Sequence, residues 1–292
     1  MKKILIIGIF AIMLNIPVLS QGWEKSYGGV KDDIAYDVIK VSDGGYVAVG
    51  STNSFGAGGT DVFVVKISST GVLKWTKVIG GTANDAGYSV AEASNGDILI
   101  AGATESFGAG SKDVYLIKLN ASGGIKWTKT YGTAGNDEAR TVIISGSRYF
   151  ISGSSNGNFY LAKTDLSGIA LWEKNYGSVS SETCYDMVRT YDNMLVMAGH
   201  TAGYGNNHVY VVKTDLNGDT LFTRNFYEGT SSPGATGIAE TNDHGLVMTG
   251  FNYSGSGYGD LFLLKINSTG SQVFNTIGTA LANSGTKVCG GI

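Results

Sequence analysis

One feature constrains this chain more than any other: a segment of about 50 residues recurs along almost all of its length. Its clearest mark is one aromatic position, and the intervals between successive occurrences are 52, 52, 45, 50 and 52 residues. The position is occupied by Trp23, Trp75, Trp127, Trp172, Phe222 and Phe274. A sequence with such a period builds one small structural unit several times and packs each copy against its neighbours.

Each unit contains four short apolar segments separated by turns. In the second unit they read GYSVAEA, GDILIAG, DVYLIKL and, around Trp127, WTKTYG. They are rich in β-branched and aromatic residues and are bounded by Gly, Asn, Asp or Ser, which is typical of strands. The 44 glycines and 2 prolines in 292 residues fit many tight turns. No segment has a helical period over ten residues.

Four strands in each unit of about 50 residues predict an all-β fold, a β-propeller of four-stranded antiparallel blades. We name the strands of a unit A to D, with D carrying the marker aromatic. Five full repeats are expected, together with a partial sixth at 279–292 and a closing strand D at 22–28. Five blades with both end segments as additions, or a longer protein of six or more blades, are the alternatives. The expected blades, in one domain over 21–292, are about 30–79, 82–131, 134–176, 179–226 and 230–277.

The pattern W-x-K-x-x-G-G, then D, G-G-Y-x-x-x-G-x-T, D-x-x-x-x-K and G resembles exported bacterial β-propeller repeat proteins. It is distantly similar to quinoprotein-like propellers with their docking tryptophans. The resemblance covers 22–292 and implies that strand A is innermost and strand D outermost. It also implies an extracellular binding or scaffold role, because the cofactor and metal residues of quinoprotein enzymes have no counterpart here.

Residues 1–20 differ from the rest of the chain. Lys2 and Lys3 precede the apolar run ILIIGIFAIMLNIPVL, and Ser20 offers a small residue for cleavage. This pattern predicts a secretory signal peptide, and hence a secreted, cell-surface or periplasmic protein. A membrane anchor is the alternative, but Asn15 and Pro17 interrupt the run.

Charge and cysteine content narrow the range of partners. The formal net charge is −3 and no basic run is present, so nucleic acid is not an expected partner. Cys184 and Cys289 can form one bridge or remain two separate thiols. Cys184 occupies a position where the other units have a small residue, which suits a buried thiol.

Strand alternation places the D–A and B–C loops on one face of the propeller and the short A–B and C–D turns on the other. The first group is longer and carries aromatic residues, and binding residues favour such loops on a rigid scaffold. Exposed aromatics on Gly- and Ser-rich loops suit a glycan or protein surface. The candidate ligand-binding residues are Phe55, Phe107, Tyr204, Tyr253 and Tyr258.

A column of acids precedes strand A and is expected at the mouth of the central channel. These residues are Asp33, Asp85, Asp137 and Glu182, with Pro233 and Asn283 at the same place in the last units. They could hold a cation such as calcium. The alternative is that each carboxylate binds backbone amides and fixes its own loop. No cofactor and no other metal is expected.

Two further columns are expected to be structural. Strand C begins with Asp61, Asp113, Asn158, His208 and Asp260 in turn, and it ends with a lysine in each unit. A side chain that caps the loop and a lysine that pairs with an acid or with water explain such regular recurrence.

No catalytic motif is present in the sequence. There are three histidines, and no G-x-S-x-G, H-E-x-x-H or P-loop pattern. The sequence therefore favours a secreted, non-catalytic binding or scaffold module. An extracellular hydrolase or lyase with acids at the channel, and a structural module of a larger exported protein, are the alternatives.

Overall fold

The computed structural model describes residues 22–177, 181–202, 208–226, 232–253 and 259–277. Within these ranges the chain forms twenty strands in five four-stranded antiparallel sheets, with no helix. The described residues include no helix that is long and apolar enough to cross a membrane. The chain is thus an all-β propeller, as the repeat predicts.

Each sheet is one blade, and its strands follow one another in chain order. Blade 1 consists of β1 (Asp33–Lys40), β2 (Tyr46–Thr52), β3 (Asp61–Ile67) and β4 (Leu73–Ile79). Blade 2 consists of β5 (Asp85–Glu92), β6 (Ile98–Thr104), β7 (Asp113–Leu119) and β8 (Ile125–Tyr131). Blade 3 consists of β9 (Asp137–Ser145), β10 (Arg148–Ser155), β11 (Asn158–Thr164) and β12 (Ala170–Tyr176). Blade 4 consists of β13 (Glu182–Arg189), β14 (Leu195–Thr201), β15 (His208–Thr214) and β16 (Thr220–Phe226). Blade 5 consists of β17 (Ser232–Glu240), β18 (Leu246–Tyr253), β19 (Gly259–Ile266) and β20 (Gln272–Ile277).

The first strand of each blade is the innermost. Strands β1, β5, β9, β13 and β17 contact one another in succession, and each also packs on the middle strands of the preceding blade. The fourth strands lie outside and are half-exposed, as in KWTK of β4. This order agrees with the strand assignment that the resemblance implied.

The core lies between blades. Strands β6 and β7 are buried along their whole length, on both faces of the sheet. Four apolar clusters each join side chains of two neighbouring blades. The middle strands therefore read as continuous apolar runs because a sheet covers each of their faces.

A second contact between blades joins the marker aromatic to the next C–D turn. Gly123 of blade 2 has φ +83°, and a Cβ there would lie 3.0 Å from the ring of Trp75 in blade 1. The Trp75 Nε1–H donates to the carbonyl of Ala121 in the same turn at 3.2 Å. The marker aromatic is therefore a bridge to the following blade. The turn glycines that face an aromatic in this way are Gly71, Gly123, Gly168, Gly218 and Gly270.

The expected closing strand at 22–28 is not a strand in the structure, since the first strand begins at Asp33. The segment still occupies the place of an outermost strand beside blade 1. Trp23 Nε1–H donates to Ser69 O at 3.1 Å, and the Tyr27 hydroxyl donates to Gly71 O at 2.6 Å. Among the described residues no strands A to C accompany this segment, so it makes the aromatic contacts without ladder hydrogen bonds. The partial repeat at 279–292 lies outside the described residues.

Candidate ligand-binding face and central channel

The D–A and B–C loops meet on one face, which we call the loop face (28–32, 53–60, 80–84, 105–112, 132–136, 156–157 and 181). Asn53 N donates to Asp32 O and Glu105 N to Asn84 O, which joins the two loop types within a blade. Thr60 N donates to the Asn84 side chain at 3.1 Å, which joins one blade to the next. The loop face is a continuous hydrogen-bonded rim.

The four acids at the start of strand A fix these loops. Asp85 Oδ2 accepts from Gly81 N at 2.8 Å and from the Ser106 hydroxyl at 2.7 Å. In blade 1, Gly29 N and the hydroxyls of Thr52 and Ser54 donate to Asp33. These hydrogen bonds hold the pKa of Asp33 below its usual value, the Thr52 hydroxyl contributing most.

The other two acids behave in the same way. Asp137 Oδ2 accepts from Thr133 N at 2.6 Å, and Glu182 Oε1 accepts from the Thr201 hydroxyl at 3.0 Å. Each carboxylate thus binds loop groups, as one of the two expectations described. The described residues contain no group of three or more His, Cys, Asp or Glu side chains placed to hold a metal ion.

A second column of acids lies against the first. Asp61, at the start of β3, accepts from Ala57 N at 3.1 Å, which is the loop-capping contact expected of this column. Burial raises the pKa of Asp61, and the nearby charge of Asp85 adds to that effect. The two carboxylates belong to neighbouring blades, and the space between them is Gly80, which has no side chain.

Two of the candidate aromatic residues are half-exposed on the loop face. Phe55 and Phe107 are each 45% exposed. Each ring contacts one buried ring of its own blade, Phe55 on Phe63 at 5.8 Å and Phe107 on Tyr115 at 5.9 Å between centroids. The two phenyl groups are therefore held in equivalent positions on adjacent blades. Tyr204 and Tyr258 lie outside the described residues, and of Tyr253 only the backbone, at the end of β18, is described.

The central channel carries side chains that the sequence analysis did not single out. Every innermost strand has a β-bulge at its fourth residue, and bulges redirect a side chain out of the regular alternation. The bulged residues line one cavity of about 300 Å³. They are Tyr36, Tyr88, Arg140, Tyr185 and Thr236. Their spacing of three residues from the acid column is the sequence signal that could have found them.

Arg140 is the centre of the channel cluster. Its guanidinium lies 4.3 Å from the Tyr88 ring centroid and 5.9 Å from that of Tyr185. It also donates to Glu138 Oε1 from Nε at 2.9 Å and from Nη2 at 2.7 Å. The positive charge in the channel is therefore already paired with a carboxylate and stacked on tyrosine.

The residue after each bulge reaches the innermost strand of the next blade. Val90 N donates to Asp37 Oδ2 at 2.8 Å, Val142 N to Ser89 Oγ at 3.2 Å, and Ile238 N to Asp186 Oδ2 at 3.0 Å. The Thr141 hydroxyl donates to Asp186 Oδ1 at 3.0 Å. These bonds connect blades 1 to 5 in sequence, so this second acid-bearing column is also structural.

The remaining reactive groups are buried or paired. Cys184 is a free, fully buried thiol in β13, and burial raises its pKa. Cys289 lies outside the described residues. The lysines that end strand C lie beside turn acids, for example Lys66 beside Asp43 at 2.7 Å and Lys213 beside Asp192 at 2.9 Å.

Comparison with known proteins supports the fold and gives little on activity. No protein-family model matches this chain. It is 26% identical over 160 residues to the regulatory protein FlaEY of Caulobacter vibrioides, which covers 46% of this chain and 17% of that protein. The chain therefore spans about a sixth of the length of that curated relative.

Two solved structures superpose with TM-scores above 0.5. A Bacteroides caccae protein of unknown function has a TM-score of 0.54 and 13% identity, covering 83% of this chain and 81% of that one. A puromycin hydrolase has a TM-score of 0.52 and 12% identity, covering 83% of this chain but 39% of that one. At such identities the likeness concerns the fold alone.

Proposed function

We propose that this protein is an exported, non-catalytic β-propeller that binds an extracellular glycan or protein through its loop face. The observation that carries this is the pair Phe55 and Phe107, two half-exposed rings in equivalent positions on neighbouring blades. Rings that are fixed at one edge lose little conformational entropy when a ligand covers the other. A repeated pair favours a ligand that itself repeats, such as a polysaccharide.

The chemistry of the acids supports binding over hydrolysis. A glycosidase needs two carboxyl groups facing a substrate from opposite sides of the scissile bond. Asp85, Asp137 and Glu182 are buried, and each accepts hydrogen bonds that hold its own loop or blade. Their side chains are thus committed to the scaffold, which weakens the alternative of an extracellular hydrolase or lyase.

The test is a glycan array and a panel of surface proteins probed with the chain from residue 21. We expect Phe55→Ala with Phe107→Ala to reduce binding at least about tenfold, because two ring contacts are lost. The unfolding temperature should change little, since both rings are half-exposed. Tyr191→Ala is the matched control, an exposed aromatic in an A–B turn on the opposite face. Equal binding by the double variant and the control would refute the proposal.

A further inference from the structure

Blades 1 and 2 each contribute a buried carboxylate to one point between them. Asp61 and Asp85 are 2% and 1% exposed. Asp61 Oδ1 and Asp85 Oδ2 lie 2.1 and 2.6 Å from the position that a Cβ on Gly80 would take. Since both distances are measured from the same point, at most 4.7 Å separates the two oxygens.

The next pair of blades repeats the arrangement. Asp113 and Asp137 are 2% and 0% exposed. Asp137 N donates to the carbonyl of Lys112, just before Asp113, at 2.8 Å. Asp85 N donates to the carbonyl of Thr60, just before Asp61, at 2.7 Å. The backbone therefore brings both acid pairs together in the same way.

The negative charge of these pairs has no counterpart among the described residues. None of the four aspartates takes part in an ion pair within the described ranges. Asp85 Oδ1 and Asp137 Oδ1 are buried and have no hydrogen-bond partner. Two carboxylates removed from water at such a distance repel each other and are costly to leave unbalanced.

We propose that each pair binds a divalent cation, preferably Ca²⁺, at the junction of two blades. The donors are carboxylate oxygens, which hard cations prefer, and no thiol or imidazole lies in either pair. Backbone carbonyls and water would complete the coordination. The cation would tie the start of strand C in one blade to the D–A loop that leads into the next. This inference does not depend on the ligand proposed for the loop face.

The later repeats provide natural variants of the site. In the third junction Asn158 Oδ1 and Glu182 Oε2 lie 2.5 and 2.4 Å from the Cβ position of Gly177, so the geometry is kept with one carboxylate fewer. In the fourth junction His208 and Pro233 replace both acids. Two calcium ions per chain are therefore expected, at the first and second junctions.

The test is calorimetric titration of CaCl₂ into the EDTA-treated chain from residue 21. We expect two sites with Kd of about 10⁻⁵ to 10⁻³ M. Asp61→Asn and Asp113→Asn should each leave one site, and the double variant none. Asn158→Asp should add a third. Asp32→Asn, which changes an exposed acid on the same loop face, should leave the count at two.

Thermal unfolding gives an independent measurement. At calcium about 100-fold above Kd, each occupied site should raise the unfolding temperature by roughly 5–10 °C, and the double variant should not respond. Absence of heat and of any calcium-dependent shift in the folded wild-type chain would overturn the proposal. So would a count of two in the folded double variant. Because Asn158→Asp predicts a gain, a loss of folding cannot imitate the expected result.

Discussion

The contact between Trp75 and the turn at Gly123 allows the bridge between blades to be measured directly. Replacing Gly123 by Ala places a methyl group 3.0 Å from Cδ2 and Cε3 of the indole. The same change puts an L-residue at φ +83°. Gly44 separates the two effects, because its φ is also +83° but nothing lies within 4 Å of its Cβ position.

The expected costs follow from these geometries. Gly44→Ala carries the cost of the left-handed backbone alone, about 1–2 kcal/mol. Gly123→Ala adds displacement of the indole and of its hydrogen bond to Ala121, about 1 kcal/mol more. Trp75→Ala should cost about 2–3 kcal/mol, less than a fully buried tryptophan, since the ring is partly exposed.

Urea unfolding of the single and double variants gives the coupling energy. In the Trp75→Ala background, Gly123→Ala should cost no more than Gly44→Ala, so the coupling is about 1 kcal/mol. If the two glycine variants lose the same free energy in the wild-type background, the indole does not press on the turn. The bridge would then contribute little to holding the blades together.

Three other predictions concern buried polar groups. Ser89→Ala leaves Val142 N without its acceptor at a buried junction and should lower the free energy of unfolding by about 1–2 kcal/mol, measured by urea titration, with the exposed Ser69→Ala as control. Lys118→Met removes one of the two lysines on buried Asp97 and should cost about 2 kcal/mol, because Lys126 remains at 2.7 Å. Burial pushes the pKa of Asp97 up, but hydrogen bonds from Lys126, Asn95 and Lys118 outweigh it and hold the pKa below 3.8. The stability that this pairing adds is therefore complete above pH 3.8 and is lost as the pH falls through the lower folded-state pKa. The difference between wild type and Lys118→Met should shrink in that acid range, and a constant difference would contradict the assignment. In a Cys289→Ser background, Cys184 should react with a thiol reagent only after unfolding, because burial raises its pKa and blocks access; rapid labelling of the folded chain would show that β13 opens.

The repeat made the blades predictable because each strand type recurs with the same flanking turns. The pattern of GDILIAG followed by DVYLIKL predicts two middle strands, and both are buried on both faces. Cys184 was expected at a position for a small residue, and it is fully buried there. Such features depend on local sequence and on the neighbouring copy of the same unit.

The features that could not be predicted depend on irregular backbone or on junctions. Regular alternation along AYDVIKV gives no sign that Tyr36 is a bulged residue, so the channel cluster with Arg140 was missed. The segment at 22–28 has the sequence of a strand but not the partners that a ladder requires. Asp61 and Asp85 belong to different columns of the repeat, and only the fold shows that they share one point beside Gly80.

The hydrogen bonds that follow the bulges have a consequence for how such a protein changes in evolution. Each blade donates one amide to a side chain of the blade before it, at Val90, Val142 and Ile238. A duplicated unit therefore arrives with both halves of the connection already encoded. Blades can be gained or lost as whole units, while a cut inside a unit would strand a donor without its acceptor.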